Sequence, residues 1–129
     1  MADTYGNNVY DGARNCVFSL TDFSDGTGLS AQNVTNVANL VPNPGVHLKL
    51  RRIQFAINGM SVRLQWNAST PVDIALLSPG ENVIDYSRLY SGGLTNNAGA
   101  GVTGDIILTT EGASANSNFT IILECIKGV

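Results

Sequence analysis

The residues that could do chemistry in this chain are few and badly spaced for it. His47 is the one histidine, and it stands at the head of an apolar, strand-like run with Leu48 and Leu50. Catalytic triads, facial triads and zinc sites need at least one imidazole, usually beside Cys or carboxylate. A surface or strand-end role suits His47 better. The acidic residues are scattered. Asp22, Ser24, Asp25 and Thr27 in the stretch DFSDGTG have neither the alternate-position spacing nor the distal Glu of a calcium loop. Asp73 with Glu81 or Asp85 could serve as a glycosidase pair only if folding set the carboxyls at the required separation. Gly99-Ala100-Gly101-Val102-Thr103-Gly104 fits G-x-G-x-x-G, but a strand follows it rather than a helix, so no phosphate cradle is expected. No catalytic, cofactor-binding or metal-ligating residue is assigned, and the expectation is a protein that is not an enzyme and holds no cofactor.

Cys16 and Cys125 lie near opposite ends of the chain, each within an apolar run. No Cys-x-x-Cys is present, which removes the cysteine-based zinc and redox motifs. Buried free cysteines behave as small hydrophobes. A bridge between them requires neighbouring strands with Cα atoms within ~7 Å. Both readings stay open at this point.

Charged residues make up 13% of the 129 residues, about half the usual share of ~25%. Asn, Ser, Thr and Gly must therefore cover the surface, as they do in extracellular and virion proteins. The net charge is −3 with only seven Lys and Arg residues, which argues against nucleic acid as a partner. The start of the chain has no basic and apolar leader pattern, and no run approaches the ~20 apolar residues of a membrane span. The sequons at Asn33, Asn67 and Asn118 then read as accidents of composition.

The elements that must position these residues are strands. From Val46 to Asp73 two alternating runs meet at Asn58-Gly59, the preferred pair for a two-residue hairpin turn. Met60, Val62, Leu64 and Trp66 alternate with Ser61, Arg63, Gln65 and Asn67. In the preceding run the apolar parity changes from Leu48 and Leu50 to Ile53, Phe55 and Ile57, which is the mark of a β-bulge at Arg51-Arg52. This hairpin would gather Lys49, Arg51, Arg52 and Arg63 into one basic edge. Further strands are expected at Cys16–Phe23, Val72–Leu77, Gly104–Thr110 and Asn118–Lys127. Ser30–Leu40 reads as an irregular strand, and the Gly-rich stretch Ser91–Thr103 as a loop. Residues 1–13 are polar and turn-rich, with Tyr5 and Tyr10 among them. They read as an arm, mobile in the free protein and ordered on a neighbour, ahead of a domain spanning 14–129.

Seven to nine short antiparallel strands without a convincing helix indicate an all-β, single-domain sandwich, jelly-roll-like. Val83–Tyr90 and Asn118–Ile126 carry apolar groups on both faces. A homo-oligomer is expected from that, trimer ahead of dimer, with Leu89, Tyr90, Ile122 and Ile126 at the contact.

Met60-Ser61-Val62-Arg63-Leu64-Gln65-Trp66-Asn67-Ala68-Ser69-Thr70-Pro71 and Asn97-Ala98-Gly99-Ala100-Gly101-Val102-Thr103-Gly104-Asp105-Ile106-Ile107-Leu108-Thr109-Thr110 resemble small virion structural proteins of tailed bacteriophages, of the kind that decorate or cement the head. The likeness runs from Val46 to Lys127, about two-thirds of the 129 residues. It implies a β-sandwich on the outer capsid surface, made in the host cytoplasm, with the major capsid protein as partner and neither nucleic acid nor membrane. Lys49, Arg51, Arg52, Arg63, Tyr5 and Tyr10 are then the candidate capsid contacts. The rival expectation is a carbohydrate- or receptor-binding sandwich that stacks Tyr86, Tyr90 or Trp66 on sugar.

Overall fold

A computed structural model of the chain describes residues 4–41, 43–88 and 93–127. Among these are nine strands: β1 (Thr4–Asp11), β2 (Asn15–Asp25), β3 (Gln32–Asn33), β4 (Leu48–Asn58), β5 (Ser61–Trp66), β6 (Val72–Leu77), β7 (Gly80–Asp85), β8 (Ile106–Glu111) and β9 (Ala115–Lys127). They form a five-stranded sheet in the order β1-β2-β9-β4-β7 and a four-stranded sheet in the order β3-β8-β5-β6. Every described pairing is antiparallel. The protein is an all-β sandwich.

The core follows from period-2 alternation. β2 buries Cys16, Phe18 and Leu20, β9 buries Phe119, Ile121, Leu123 and Cys125, and β4 adds Leu48, Leu50, Ile53 and Ile57. The other sheet meets them with Val62, Leu64, Trp66, Leu77, Ile106 and Leu108. Each such aliphatic or aromatic side chain removed from water favours folding by about 1.5–3 kcal/mol.

The parity change in β4 is a bulge. Pairing with β9 shifts between Leu50 and Arg52, so Arg51 has no residue opposite it. The Asn58-Gly59 turn corrects the hairpin expectation. β4 pairs with β9 and β7, whereas β5 pairs with β8 and β6. Both edges of each strand are therefore taken by other strands, and Asn58-Gly59 arches from one sheet to the other. Gly59 has φ +80, while Asn58 is absent from the positive-φ residues that a type I′ turn needs at both positions. Ser117 donates its hydroxyl to the Gly59 carbonyl at 3.1 Å. A Cβ on Gly59 would lie 2.7 Å from that Ser117 Oγ, so close approach as well as backbone conformation selects glycine.

Within the expected arm, the described residues from Thr4 onward also differ from expectation. Thr4–Asp11 is a sheet strand, paired with β2 from Thr4↔Phe23 to Asp11↔Cys16. Gly6, Asn7 and Asn8 have poor strand propensity, but a long partner with both neighbours in register overrides it. Ser30–Leu40 is irregular, holding only the two residues of β3 and a 3₁₀ turn at Val37–Asn39. Asp105 fastens this segment: its carboxylate accepts from the Val37 amide at 2.7 Å and from Asn33 Nδ2 at 3.1 Å.

Candidate interface on the outer face of the five-stranded sheet

In an antiparallel pair, directly opposed residues point to the same side, so the register fixes which side chains share a face. Across the outer face of the five-stranded sheet one row reads Tyr10, Val17, Glu124, Arg52 and Asp85. The next reads Asn8, Ser19, Ile122, Gln54 and Val83. Toward one end of the sheet come Lys49 and Ile126, and at the other Phe23 and Asn118. Tyr10 is 63% exposed, Phe23 53% and Val83 48%, all large for apolar side chains. A shallow depression of about 430 Å³ is bounded by Gln54, Ala56, Val83, Thr120 and Ile122.

Arg52 and Glu124 on this face hold each other. Arg52 Nε donates to Glu124 Oε2 at 2.6 Å. That hydrogen bond, then the charge of Glu124, raises the guanidinium above its ordinary value. Asp85 is lowered, first by the hydroxyl and amide of Ser87 and less by Arg52. Arg51, Arg52, Asp85, Ser87 and Glu124 together line a small polar notch. The bulge thus brings both arginines to one place, with Arg51 exposed and Arg52 tied to Glu124.

Lys49, Arg51, Arg52, Tyr10, Ile122 and Ile126 accordingly lie on this one face or its rim. Arg63 does not. It sits on β5, on the far side of the sandwich, 3.5 Å from Asp73 and 4.0 Å from Glu111. The basic edge that would have joined it to Lys49, Arg51 and Arg52 is divided, because β4 and β5 belong to different sheets. Tyr5 faces inward beside Asp22, and burial, then the Asp22 charge, pushes its phenol up to about 12. Leu89 and Tyr90 lie outside the described residues. Asp73 stands on the outer face of the four-stranded sheet and Glu81 and Asp85 on that of the other, so folding does not pair these carboxylates. Trp66 is 1% exposed, so its ring is not free to stack on sugar, and Tyr86 is half-buried with its hydroxyl 3.5 Å from the Ile74 carbonyl. Among the described residues no three His, Cys, Asp or Glu side chains are grouped to hold a metal.

The outer face of the four-stranded sheet is different in kind. It presents Ser61, Arg63, Gln65, Asp73, Thr109 and Glu111, with Leu76 as its large exposed apolar side chain.

One cluster has no signal in local sequence. The Lys127 side chain is 3% exposed, and its ammonium donates to Asp11 Oδ1, to the Gly12 carbonyl at 2.6 Å and to the Val41 carbonyl at 2.8 Å. Asp11 Oδ2 accepts the Val41 amide at 2.8 Å. The Lys127 hydrogen bond, then that of Val41, holds the Asp11 carboxyl below its usual range. Lys127 thereby fastens the end of β1, the loop after the 3₁₀ turn and the end of β9. Lys127 is more than eighty positions from each of its partners, so only the fold brings them together.

No protein-family model, curated protein or solved structure matches the chain.

Proposed function

We propose that this chain is a virion structural protein of the head-decoration type, docking on the major capsid protein through the outer face of its five-stranded sheet. The supporting observation is the asymmetry between the two outer faces. One carries Tyr10, Phe23, Val83, Ile122 and Ile126, with the Arg52–Glu124 ion pair lying between the rows of Ile122 and Ile126. The other is mostly polar. Large exposed apolar and aromatic side chains gathered on one face mark a protein interaction surface. The strand order adds to this. Set β1 aside, and the sheets run β2-β9-β4-β7 and β3-β8-β5-β6, the order of an eight-stranded jelly roll. That architecture serves viral capsid and lectin domains alike, so it supports the reading without deciding it. The resemblance of Met60–Pro71 and Asn97–Thr110 to head-decoration proteins points the same way.

Such a protein adds no chemistry. It stabilises an assembled shell by binding it better than the separate subunits, and many copies act together through effective concentration. Self-association as a trimer or dimer through the same apolar side chains, Ile122 and Ile126, would compete with docking through this face. The test is sedimentation of tagged chain with purified heads that lack it. Saturable, stoichiometric binding is expected. Free chain in the supernatant at micromolar concentration, together with binding on a glycan array, would overturn the reading in favour of a carbohydrate-binding sandwich.

A further inference from the structure

Cys16 on β2 and Cys125 on β9 stand directly opposite each other in antiparallel register. Opposed residues in such a ladder have Cα atoms about 4.5–5.5 Å apart, inside the window a disulfide requires. Both thiols are free and buried, 1% and 2% exposed. The two side chains lie next to each other across the ladder, and each alters the other's ionisation. We propose that Cys16 and Cys125 form a built redox pair, which a peroxide closes into a disulfide between β2 and β9.

The surroundings separate an attacking thiol, Cys16, from a resolving one, Cys125. The Cys16 thiol is lowered, chiefly by the adjacent Cys125 side chain and further by the Lys127 ammonium, against the opposing effects of burial and Asp11. Cys125 is raised, by the Cys16 side chain and by burial. The thiolate is the nucleophile, so oxidation begins at the sulfur that ionises more readily. The Cys16 thiolate attacks one peroxide oxygen and the O–O bond breaks, leaving a Cys16 sulfenic acid and releasing hydroxide, which takes up a proton as water. The Cys125 sulfur then attacks the sulfenyl sulfur. The S–S bond forms, the S–O bond breaks, and the hydroxyl leaves as water with the Cys125 proton. Two thiols and one hydrogen peroxide give one disulfide and two waters. The alternative is that the pair are small hydrophobes filling the core.

The bond would close a loop over most of the chain, from residue 16 to residue 125. Constraining so long a loop in the unfolded state should raise the thermal midpoint by roughly 10 °C. The test uses the intact reduced protein, treated with a small molar excess of hydrogen peroxide, quenched, unfolded, alkylated with iodoacetamide and weighed. The expected result is loss of about two mass units with no alkyl group added, one cross-linked peptide pair holding Cys16 and Cys125, and a monomer on a non-reducing gel. In Cys125→Ser the sulfenic acid on Cys16 should persist and react with dimedone. Two added alkyl groups in the treated wild type would overturn the proposal, as would over-oxidised Cys16 beside a free Cys125, or an intermolecular disulfide. The wild-type mass decides the matter even if the serine variant fails to fold.

Discussion

Removing the Lys127 ammonium would leave the Asp11 carboxylate and the carbonyls of Gly12 and Val41 without their shared donor. Stranding several polar groups costs more than any one hydrogen bond supplies. Lys127→Met should therefore lower unfolding free energy by about 2–4 kcal/mol in urea titration, with the denaturant slope unchanged. The same cluster sets a pH dependence. Because the folded Asp11 carboxyl lies below its unfolded value, its contribution is fully present above the ordinary carboxylate pKa of about 3.9 and is lost as pH falls through the lowered folded value. The gap in thermal midpoint between wild type and Asp11→Asn should be constant near neutrality and close in acid. Arg51 calls for a different experiment. It is exposed at a bulge while Arg52 is bound to Glu124, so reversing Arg51 leaves that ion pair in place. Arg51→Glu should leave the fold intact and slow association with heads most at low salt, read from on-rates across a salt series.

At the scale of the element, β1 carries the clearest consequence. Its eight residues pair with β2, and its last residue holds Lys127. Deleting residues 1–13 should lower the thermal midpoint of the isolated protein by roughly 10 °C or more, since it removes a strand and strands a buried ammonium. A midpoint within a degree or two of wild type would show that β1 contributes nothing to the fold. Elements with strict alternation were legible in sequence. Met60–Asn67 and Asn118–Lys127 alternate cleanly, and the parity change marked the bulge at Arg51. β1 was not legible, because Gly6, Asn7 and Asn8 carry no strand preference and their pairing is imposed by β2. The Asn58-Gly59 link was legible as a turn but not as an arch. Turn chemistry is local, and which sheet the next strand joins is decided by β8 and β6.

For the whole molecule, that one arch decides which candidate residues can act together. Moving β5 to the second sheet carries Arg63 about 10 Å or more from Lys49, Arg51 and Arg52, the thickness of a sandwich. The same topology collects Tyr10, Ile122, Ile126 and the arginines of β4 on one face, although they come from three distant parts of the chain. Their shared face could not be read from the sequence, because it depends on β1 and β4 flanking β2 and β9. The most direct measurement is co-sedimentation with heads of two structure-preserving variants, one on each outer face. Ile122→Glu places a charge in the middle of the apolar face, whereas Arg63→Glu alters the polar one. With circular dichroism unchanged for both, Ile122→Glu should weaken head binding at least about tenfold, as burying an unpaired charge requires, and Arg63→Glu should bind like wild type. Wild-type binding by Ile122→Glu, or loss of binding confined to Arg63→Glu, would contradict docking through the five-stranded sheet.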